Sequence, residues 1–155
     1  CQLVVNDYWR EAIAAGADFV HLGQEDLAAA DLAAIRTANI KVGISTHSHE
    51  ELATALAADA DYVALGPIYA TTLKKMVWEP QGLPRLAEWR TTVKCPLIAI
   101  GGITAERAPI VLAAGADAVA VITDIVTSQD PERRTGKWVA VTEPWRRLST
   151  GFPQA

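Results

Sequence analysis

The sequence predicts an α/β fold with a parallel sheet, and two observations lead to this prediction. An alanine-rich helix end, a tight turn and a short apolar run recur three times, beginning at residues 14, 57 and 113. The apolar runs are nearly continuous, which is typical of parallel strands that helices cover on both faces. Strands alternating with helices form βα units, so we expect a single domain over residues 1–141 and an irregular tail over residues 142–155.

The same pattern predicts the individual elements. Strands are expected at residues 3–6, 19–22, 41–44, 62–65, 97–100 and 118–122. Helices are expected near residues 8–15, 27–38, 49–58, 83–92, 105–114 and 131–141. Ser48, with Glu51 three residues later, predicts a capping box at the third helix, and Thr104 is expected to cap the fifth. Asp59 stands where the other two copies of the repeat have glycine, so we expect it in the left-handed conformation.

Composition and charge exclude several classes of function. The chain has 155 residues, of which 50% are hydrophobic and 21% charged, as in an ordinary globular domain with its own core. The net charge of -4 argues against a nucleic-acid partner, and no apolar run is long enough to cross a membrane. Cys95 precedes a proline and an apolar strand, so a free thiol and a cytoplasmic setting are expected. Because Cys1 leads directly into a strand, we interpret the chain as a fragment of a longer protein.

Polar residues gather where the predicted strands end. The ends carry Asn6-Asp7, Gly23-Gln24-Glu25-Asp26, Ser45-Thr46-His47, Gly66, Gly101-Gly102 and Thr123-Asp124. In a parallel α/β fold these ends share one face, and in a barrel that face carries the active site. A catalytic or ligand-binding site is therefore expected there.

The segment after the fourth strand is long for a compact chain and carries Thr71, Thr72, Lys74 and Lys75. Hydroxyls beside ammonium groups offer hydrogen-bond donors and positive charge together, which suits a phosphate or a diphosphate. A solvated surface loop is the alternative, because exposed lysine and threonine are common.

A second phosphate site is expected between the last two βα loops. Gly101-Gly102 end one strand with bare backbone N–H groups, and the next strand ends at Thr123, before a short helical segment. Barrels commonly bind phosphate between such loops. The alternative is that the two glycines only form a tight turn.

Asp7 and Asp26 form an acidic pair, because both follow strand ends. Two carboxylates with open water positions suit Mg²⁺, which also takes oxygens of a substrate phosphate as ligands. The alternative for each aspartate is a helix N-cap. His21 lies within a strand and is expected to be a hydrogen-bonded core histidine, and no histidine or cysteine spacing indicates zinc.

Together these residues resemble the thiamine-phosphate synthase family. The motifs are V-N-D near the start, H-L-G-Q-E-D-L at 21–27, G-I-S-T-H-S at 43–48, A-L-G-P-I-Y-A-T-T-L-K at 64–74, P-Q-G-L at 80–83, A-I-G-G-I-T at 99–104 and G-A-D-A-V-A-V-I-T at 115–123. They keep the family's order from about residue 3 to residue 125. The long threonine and lysine loop and the H-L-G-Q-E-D-L run are the most specific.

The resemblance implies a (β/α)8 TIM barrel, of which this chain would hold roughly the last six βα units. The first two units, with a glutamine and basic residues that contact substrate in the family, would be missing. It also implies a transferase that joins hydroxymethylpyrimidine diphosphate to hydroxyethylthiazole phosphate, giving thiamine phosphate and diphosphate. Small-molecule substrates and Mg²⁺ would be its partners; the oligomeric state is left open, with a homo-oligomer as one alternative.

Roles for individual residues follow from the same resemblance. Substrate contacts are implied for Asn6, Ser45, Thr71, Lys74, Gly102, Ile122 and Thr123, and Mg²⁺ for Asp7 and Asp26. Ser45, beside the pyrimidine, and Lys74, at the diphosphate, are the implied catalytic residues. Three positions depart from the family pattern, namely Ala70 for a frequent proline, Leu73 for a threonine of some members, and Thr123 for a frequent serine.

Two other functions remain open at this point. A thiazole tautomerase-like relative would share the barrel and the thiazole-phosphate site, but such relatives use a histidine where this chain has Pro67. A non-catalytic barrel that binds a phosphate ligand is the alternative from another class.

Overall fold

The computed structural model describes residues 2–71 and 78–146, with Arg146 described by its backbone only. The chain divides into two compact units within the fourth strand, one ending at Ala64 and the other beginning at Leu65. We describe each unit by itself and refer to them as the first and second unit. The prediction of one domain over residues 1–141 stays a prediction.

Strands and helices alternate along the described residues, as the repeat predicts. The strands are β1 Val4–Asn6, β2 Phe19–Leu22, β3 Lys41–Thr46, β4 Tyr62–Leu65, β5 Leu97–Ile100 and β6 Ala118–Ala120. The helices are α1 Trp9–Ala15, α2 Gln24–Ala29, α3 Leu32–Thr37, α4 His49–Ala57, α5 Gly82–Thr92, α6 Ala108–Ala113, α7 Thr123–Val126 and α8 Pro131–Arg146. The sheet order follows the chain order, β1-β2-β3-β4-β5-β6. The α/β class with a parallel sheet is therefore confirmed.

In the first unit, β1, β2 and β3 pair in parallel. Asn6 pairs with His21, and His21 pairs with Gly43. The strands supply fully buried side chains, including Val20, Leu22, Val42, Ile44 and Val63. Burying a side chain of this kind stabilises the fold by about 1.5–3 kcal/mol each. This pairing brings the carboxyl ends of three strands to one edge of the first unit.

One helix prediction in the first unit is wrong. The single helix expected over residues 27–38 is two helices, because α2 already begins at Gln24 and ends at Ala29. Ala30 is extended, with ψ 144°, and the Asp31 side chain then caps α3 by accepting a bond from the Ala34 N–H at 2.9 Å. The alanine and leucine residues on both sides of Asp31 favour one continuous helix. The Asp31 side chain instead accepts a backbone N–H bond, which ends one helix and starts the next.

The turns after the helices agree with the sequence. Asp59 has φ 54°, in the left-handed region, as expected. Arg36 Nη2 donates to the carbonyl oxygens of Ala58 at 2.8 Å and Asp59 at 2.6 Å, which holds this turn. Ser48 caps α4 by accepting from the Glu51 N–H, but the Glu51 carboxylate reaches the His47 N–H at 2.7 Å, one residue before the position that a capping box requires.

The second unit contains β5 and β6, which pair in parallel, with Ile100 opposite Ala120. Its buried core includes Leu86 and Trp89 from α5, Leu97 from β5, and Val111 from α6. Cys95, just before β5, is half-buried and forms no disulfide within the described residues.

Two boundaries in the second unit differ from prediction. The helix expected from residue 105 begins at Ala108, after a turn, and its N-cap is Arg107 without a side-chain cap bond. Thr104 is therefore not the cap, although its carbonyl accepts from the Arg107 and Ala108 N–H groups, each at 2.9 Å. The last helix, α8, continues to Arg146, so the irregular tail expected from residue 142 is wrong for residues 142–146.

None of the helices described here is both long and apolar enough to cross a membrane.

Candidate functional site

The first unit gathers polar groups at the carboxyl ends of β1, β2 and β3. Asn6 is the last residue of β1, and Asp7 follows it. Asp7 has φ 65°, and its N–H donates to the carbonyl oxygen of His21 at 2.8 Å, so the turn out of β1 is bound to β2. Asn6 Nδ2 donates to Asp7 Oδ2 at 2.6 Å. The amide thus orients the carboxylate and leaves its own Oδ1 as an acceptor.

Neither aspartate of the predicted metal pair is a helix N-cap. The cap of α1 is Tyr8, one residue after Asp7, and the cap of α2 is Gly23, three residues before Asp26. A Cβ at Gly23 would lie 3.1 Å from Asp26 Oδ2, so this glycine leaves space beside the carboxylate. The alternative interpretation of both residues as caps is therefore wrong.

The donor set of the first unit fits a magnesium ion. Asp7 and Asp26 offer carboxylate oxygens as ligands, which hard cations prefer. Across residues 2–71 and 78–146, no group of three or more histidine, cysteine, aspartate or glutamate side chains could hold a metal ion. Mg²⁺ needs no such group, because it commonly takes one or two carboxylates and completes its shell with water and phosphate oxygens.

Ser45 is the second feature of the first unit. Its Oγ lies 2.7 Å from His21 Nε2, and its carbonyl oxygen accepts from Gln24 Nε2 at 2.7 Å. On the other side of the ring, His21 Nδ1 lies 2.8 Å from the Tyr62 hydroxyl. The rings of His21 and Tyr62 stack with centroids 5.5 Å apart. The three side chains form a hydrogen-bonded chain, Tyr62–His21–Ser45, that fixes the serine hydroxyl.

Burial determines the protonation states of His21 and Tyr62 in this hydrogen-bonded chain. It lowers the pKa of His21 to about 4, and it raises the pKa of Tyr62 to about 12. At neutral pH the imidazole is therefore neutral, with one nitrogen donating and the other accepting, and the phenol keeps its proton. The expectation of a hydrogen-bonded core histidine is confirmed. Such a histidine orients its neighbours but is a weak base.

Sequence reasoning missed Tyr62 and Gly43 as parts of this arrangement. A Cβ at Gly43 would lie 1.9 Å from Tyr62 Cζ, so only glycine leaves room for the ring. Gly43 pairs with His21 in the sheet, and the hydrogen bond from His21 to Tyr62 joins residues 41 apart in the sequence. The glycine within an apolar strand was the available signal, because such a glycine often marks a close approach.

The second unit contains a cleft of about 330 Å³ between the loops that follow β5 and β6. It is lined by Ala70, Thr71, Ile100, Gly101, Gly102, Ile103, Thr104, Arg107, Ala120, Val121, Ile122, Thr123, Asp124 and Thr127. We call it the second-unit cleft. It brings together Thr71, Gly102, Ile122 and Thr123, which the sequence placed in substrate contacts.

Gly101 and Gly102 form the floor of a tight turn and also line the cleft. Their φ angles are 93° and 62°, and a Cβ would lie 2.7 Å from Pro67 Cα at Gly101 and 2.5 Å from the Ala70 carbonyl oxygen at Gly102. Both positive φ and lack of space therefore require glycine. The tight turn and the ligand site are thus not exclusive alternatives.

Asp124 joins the two loops at the edge of the cleft. Its Oδ2 accepts from the Ala105 N–H at 3.2 Å, from Arg134 Nε at 2.8 Å and from Trp138 Nε1 at 2.8 Å. Its Oδ1 accepts from Arg134 Nη2 at 2.7 Å. Arg134 also forms a two-pronged pair with Glu106, with both distances 2.8 Å. We call Asp124, Arg134, Trp138 and Glu106 the Asp124 cluster.

The pKa shifts in the Asp124 cluster follow from these bonds. Burial raises the pKa of Asp124, but the hydrogen bonds from Arg134, Trp138 and the Ala105 N–H outweigh it, so the net pKa lies below the usual carboxyl range. The bonds from Arg134 and then Lys137 lower the pKa of Glu106. Both carboxylates are therefore ionised at neutral pH, and α8 is bound to both loops of the cleft. In the sequence, Asp124 stands out only as a polar residue at a strand end, and the charges of Glu106 and Arg134 look like ordinary helix surface.

One predicted residue cannot be placed. Lys74, with Leu73 beside it, lies outside the described residues, so its predicted catalytic role at a diphosphate stays a prediction.

Comparison with known proteins identifies the family. The thiamine monophosphate synthase family matches residues 1–125. A thiamine-phosphate synthase of Rhizobium etli is 65% identical over 149 residues, covering 96% of this chain and 73% of that protein. The corresponding protein of Yersinia pestis is 48% identical over 143 residues, covering 92% of this chain and 66% of its own length.

A solved structure agrees with the sequence relatives. The thiamine phosphate pyrophosphorylase of Pyrococcus furiosus is similar with a TM-score of 0.81 and 31% identity, over 94% of this chain and 69% of that one. The predicted resemblance, and with it the function and enzyme class, is confirmed at the level of the family. The chain belongs to the thiamine monophosphate synthase family of transferases.

Proposed function

We propose that the second-unit cleft binds the phosphate of hydroxyethylthiazole phosphate and that the first-unit groups bind hydroxymethylpyrimidine diphosphate with Mg²⁺. The observation that carries this proposal is the cleft itself, because Gly102, Ile122 and Thr123 meet there although the sequence separates them. Backbone N–H groups and a hydroxyl at the ends of parallel strands suit a phosphate.

The pyrimidine substrate breaks its bond from the methylene carbon to the diphosphate oxygen, and the electron pair leaves with the diphosphate. Asp7 and Asp26 are the residues that would hold Mg²⁺, which when bound neutralises negative charge on the leaving group, and Asn6 would contact the substrate. The family resemblance also implies contacts from Thr71 and Lys74 to a diphosphate; Thr71 lies in the second unit, and Lys74 lies outside the described residues. The pyrimidine methylene cation is then attacked by the thiazole nitrogen, which forms the new carbon–nitrogen bond.

Ser45 would orient the pyrimidine ring through its hydroxyl. Its bonds to His21 and Gln24 hold it in one orientation, and positioning of this kind lowers the entropic part of a reaction barrier. Neither step needs a strong base, which agrees with a histidine whose pKa burial lowers to about 4. Pro67 offers no acid–base group, so we do not favour a tautomerase.

The finer fold assignment is part of the same proposal. We infer that the six βα units belong to a (β/α)8 barrel. The TM-score of 0.81 against the Pyrococcus furiosus protein, of which this chain covers 69%, supports it.

The test is a product assay with both substrates and Mg²⁺, using the full chain and its variants. Asp7→Asn and Asp26→Asn should each lower turnover at least about a hundredfold at limiting Mg²⁺, because an amide oxygen carries no charge to hold the ion. Neither residue is a helix cap, so melting temperatures should change little. Asp31→Asn is the matched control, since Asp31 caps α3 and asparagine caps about as well.

Turnover that stays near normal in both variants at limiting Mg²⁺ would contradict the metal assignment. Wild-type chain that binds both substrates but releases no thiamine phosphate would instead support a non-catalytic binding protein.

A further inference from the structure

The two charged side chains that line the second-unit cleft differ in whether another side chain already neutralises them. Its described lining includes one cationic side chain, Arg107, and one anionic side chain, Asp124. Asp124 is paired with Arg134 at 2.7 Å and accepts further bonds from Trp138 and the Ala105 N–H. Its negative charge is therefore balanced outside the cleft. The charge that remains for a ligand is positive and belongs to Arg107.

Two contacts hold Arg107 beside the glycine turn. Its Nη1 donates to the Gly102 carbonyl oxygen at 2.8 Å, and its Cζ lies 4.4 Å from the centroid of the Tyr69 ring. Arg107 forms no ion pair with a carboxylate in the part of the chain that the structure describes. A guanidinium has five N–H groups, and the bond to Gly102 uses one of them. The others remain available to a ligand at this turn.

The two contacts also restrict where the guanidinium can go. An exposed arginine normally loses side-chain entropy when it binds an anion, which offsets much of the gain. Stacking on Tyr69 and the bond to Gly102 already hold the group, so less freedom is left to lose. The planar guanidinium also matches the oxygen spacing of a phosphate.

We propose that Arg107 binds the phosphate of the thiazole substrate and makes the cleft selective for the phosphorylated thiazole over the free alcohol. This inference rests on the proposed function. It assigns a role to a residue that carries no motif, because in the sequence Arg107 is one charged residue near the start of a helix. Gly102 and Thr123 supply neutral donors, whereas Arg107 supplies the charge that distinguishes a phosphate from a hydroxyl.

The test measures binding of two ligands by calorimetry, hydroxyethylthiazole phosphate and unphosphorylated hydroxyethylthiazole, to the full chain. Arg107→Gln keeps a donor for the Gly102 carbonyl but removes the charge. We expect it to weaken binding of the phosphate ester about tenfold at low salt and binding of the alcohol by less than about twofold. Arg107→Lys keeps the charge and should lie between wild type and Arg107→Gln. The difference in affinity for the phosphate ester between wild type and Arg107→Gln should shrink as the salt concentration is raised, because Arg107 is exposed.

Arg133→Gln is the matched control. Arg133 is an exposed arginine of the same unit that does not line the cleft, so its loss should change neither affinity by more than about twofold. Equal losses for both ligands in Arg107→Gln would overturn the inference, as would an unchanged affinity for the phosphate ester.

The assay also separates this inference from the proposed function. If wild-type chain makes thiamine phosphate while Arg107→Gln binds the phosphate ester like wild type, the inference alone is overturned. If wild-type chain makes no thiamine phosphate but its affinity for inorganic phosphate falls about tenfold in Arg107→Gln, the proposed function fails and Arg107 as a phosphate-binding residue is supported.

Discussion

At the scale of single residues, the Tyr62–His21–Ser45 chain shows how a half-buried polar group can be stable without an ionic partner. Both ring nitrogens of His21 have hydrogen-bond partners within 2.8 Å, so the neutral imidazole is fully satisfied. Protonation would place a charge where burial opposes it. The free energy of unfolding must therefore depend on pH.

We predict that His21 destabilises the fold as the pH is lowered. Its pKa in the fold is about 4 against 6.5 in the unfolded chain, so the unfolded state binds more protons between these values. The contribution is fully present above pH 6.5 and is lost as the pH falls toward 4. From pH 7 to pH 5 the unfolding free energy should fall by roughly 2 kcal/mol through this residue.

Urea unfolding of wild type and His21→Gln at pH 7 and pH 5 gives the change in unfolding free energy between the two pH values for each protein. The difference between the two changes is the contribution of His21. His49→Gln is the control for replacing a histidine that is exposed. Equal changes in wild type and His21→Gln would show that the imidazole titrates normally in the fold.

Tyr62 should affect turnover through His21 and Ser45. Tyr62→Phe keeps the stacked ring but removes the hydroxyl bonded to His21 Nδ1, so the imidazole can rotate and Ser45 loses its fixed orientation. We expect kcat to fall about tenfold, with little change in the KM for thiazole phosphate, whose proposed site is in the second unit. Tyr8→Phe removes a similar hydroxyl from a side chain that is 69% exposed, and it should leave kcat unchanged. A rise in KM without a fall in kcat would contradict this role.

At this scale, the sequence predicted the features that depend on neighbouring residues and missed contacts between residues far apart in the sequence. His21 was placed in a strand core from its neighbours alone. Its partners were not, because Ser45 and Tyr62 are 24 and 41 residues away, and only strand register brings them together. Arg107 was missed for another reason, since an arginine near a helix start has the same pattern whether it faces solvent or a cleft.

At the scale of elements, α8 acts as a brace for the loops of the second-unit cleft. Asp124 lies in the first turn of α7, and Glu106 lies in the turn before α6. Arg134 of α8 bonds to both carboxylates. A single side chain therefore fixes two loops whose residues line the cleft, so α8 should influence ligand binding without lining the cleft itself.

We predict that Arg134→Gln lowers both stability and phosphate affinity. It leaves the Asp124 carboxylate without its charged partner, which should lower the free energy of unfolding. The loss should be present at neutral pH and diminish as the pH falls from the usual carboxyl pKa through the lower pKa that Asp124 has in the fold. Arg134→Lys should recover part of it.

Chemical unfolding at pH 7 and pH 3 measures the first effect, and calorimetry with inorganic phosphate measures the second. Arg133→Gln, one residue earlier on α8, is the control and should stay within about 0.5 kcal/mol of wild type. A loss of stability with unchanged phosphate affinity would show that α8 stabilises the unit without positioning the cleft.

Elements were predicted well where local pattern decides them. The bounds of β2, β4 and β5 agree with the sequence expectation, because each is a short apolar run closed by polar or glycine residues. The division of α2 from α3 was missed, since it depends on the Asp31 side chain bonding to the backbone. The start of α6 was misplaced because residues 105–107 form a turn, in which the Thr104 carbonyl accepts from the Arg107 and Ala108 N–H groups.

At the scale of the whole molecule, the two units divide the proposed chemistry between them. The carboxylates proposed to hold Mg²⁺ and the Ser45 hydroxyl lie in the first unit, whereas the second-unit cleft carries the donors and the cation proposed to bind a phosphate. The repeat predicted that the site lies at the strand ends. It could not assign a substrate to either compact unit, because most of the strands end in similar polar residues. Each ligand should therefore protect a different set of backbone amides from hydrogen exchange.

We predict that amide hydrogen exchange separates the two ligands. Hydroxyethylthiazole phosphate should slow exchange in residues 101–105 and 122–127 of the second unit, because it orders the loops that line the cleft. Residues 6–8 and 23–26 of the first unit should not change with this ligand. Diphosphate with Mg²⁺ should slow exchange in residues 6–8 and 23–26, and Asp7→Asn should abolish that protection while leaving the thiazole-phosphate pattern intact. Protection of residues 6–8 by thiazole phosphate alone would mean that the two substrates have been assigned to the wrong units.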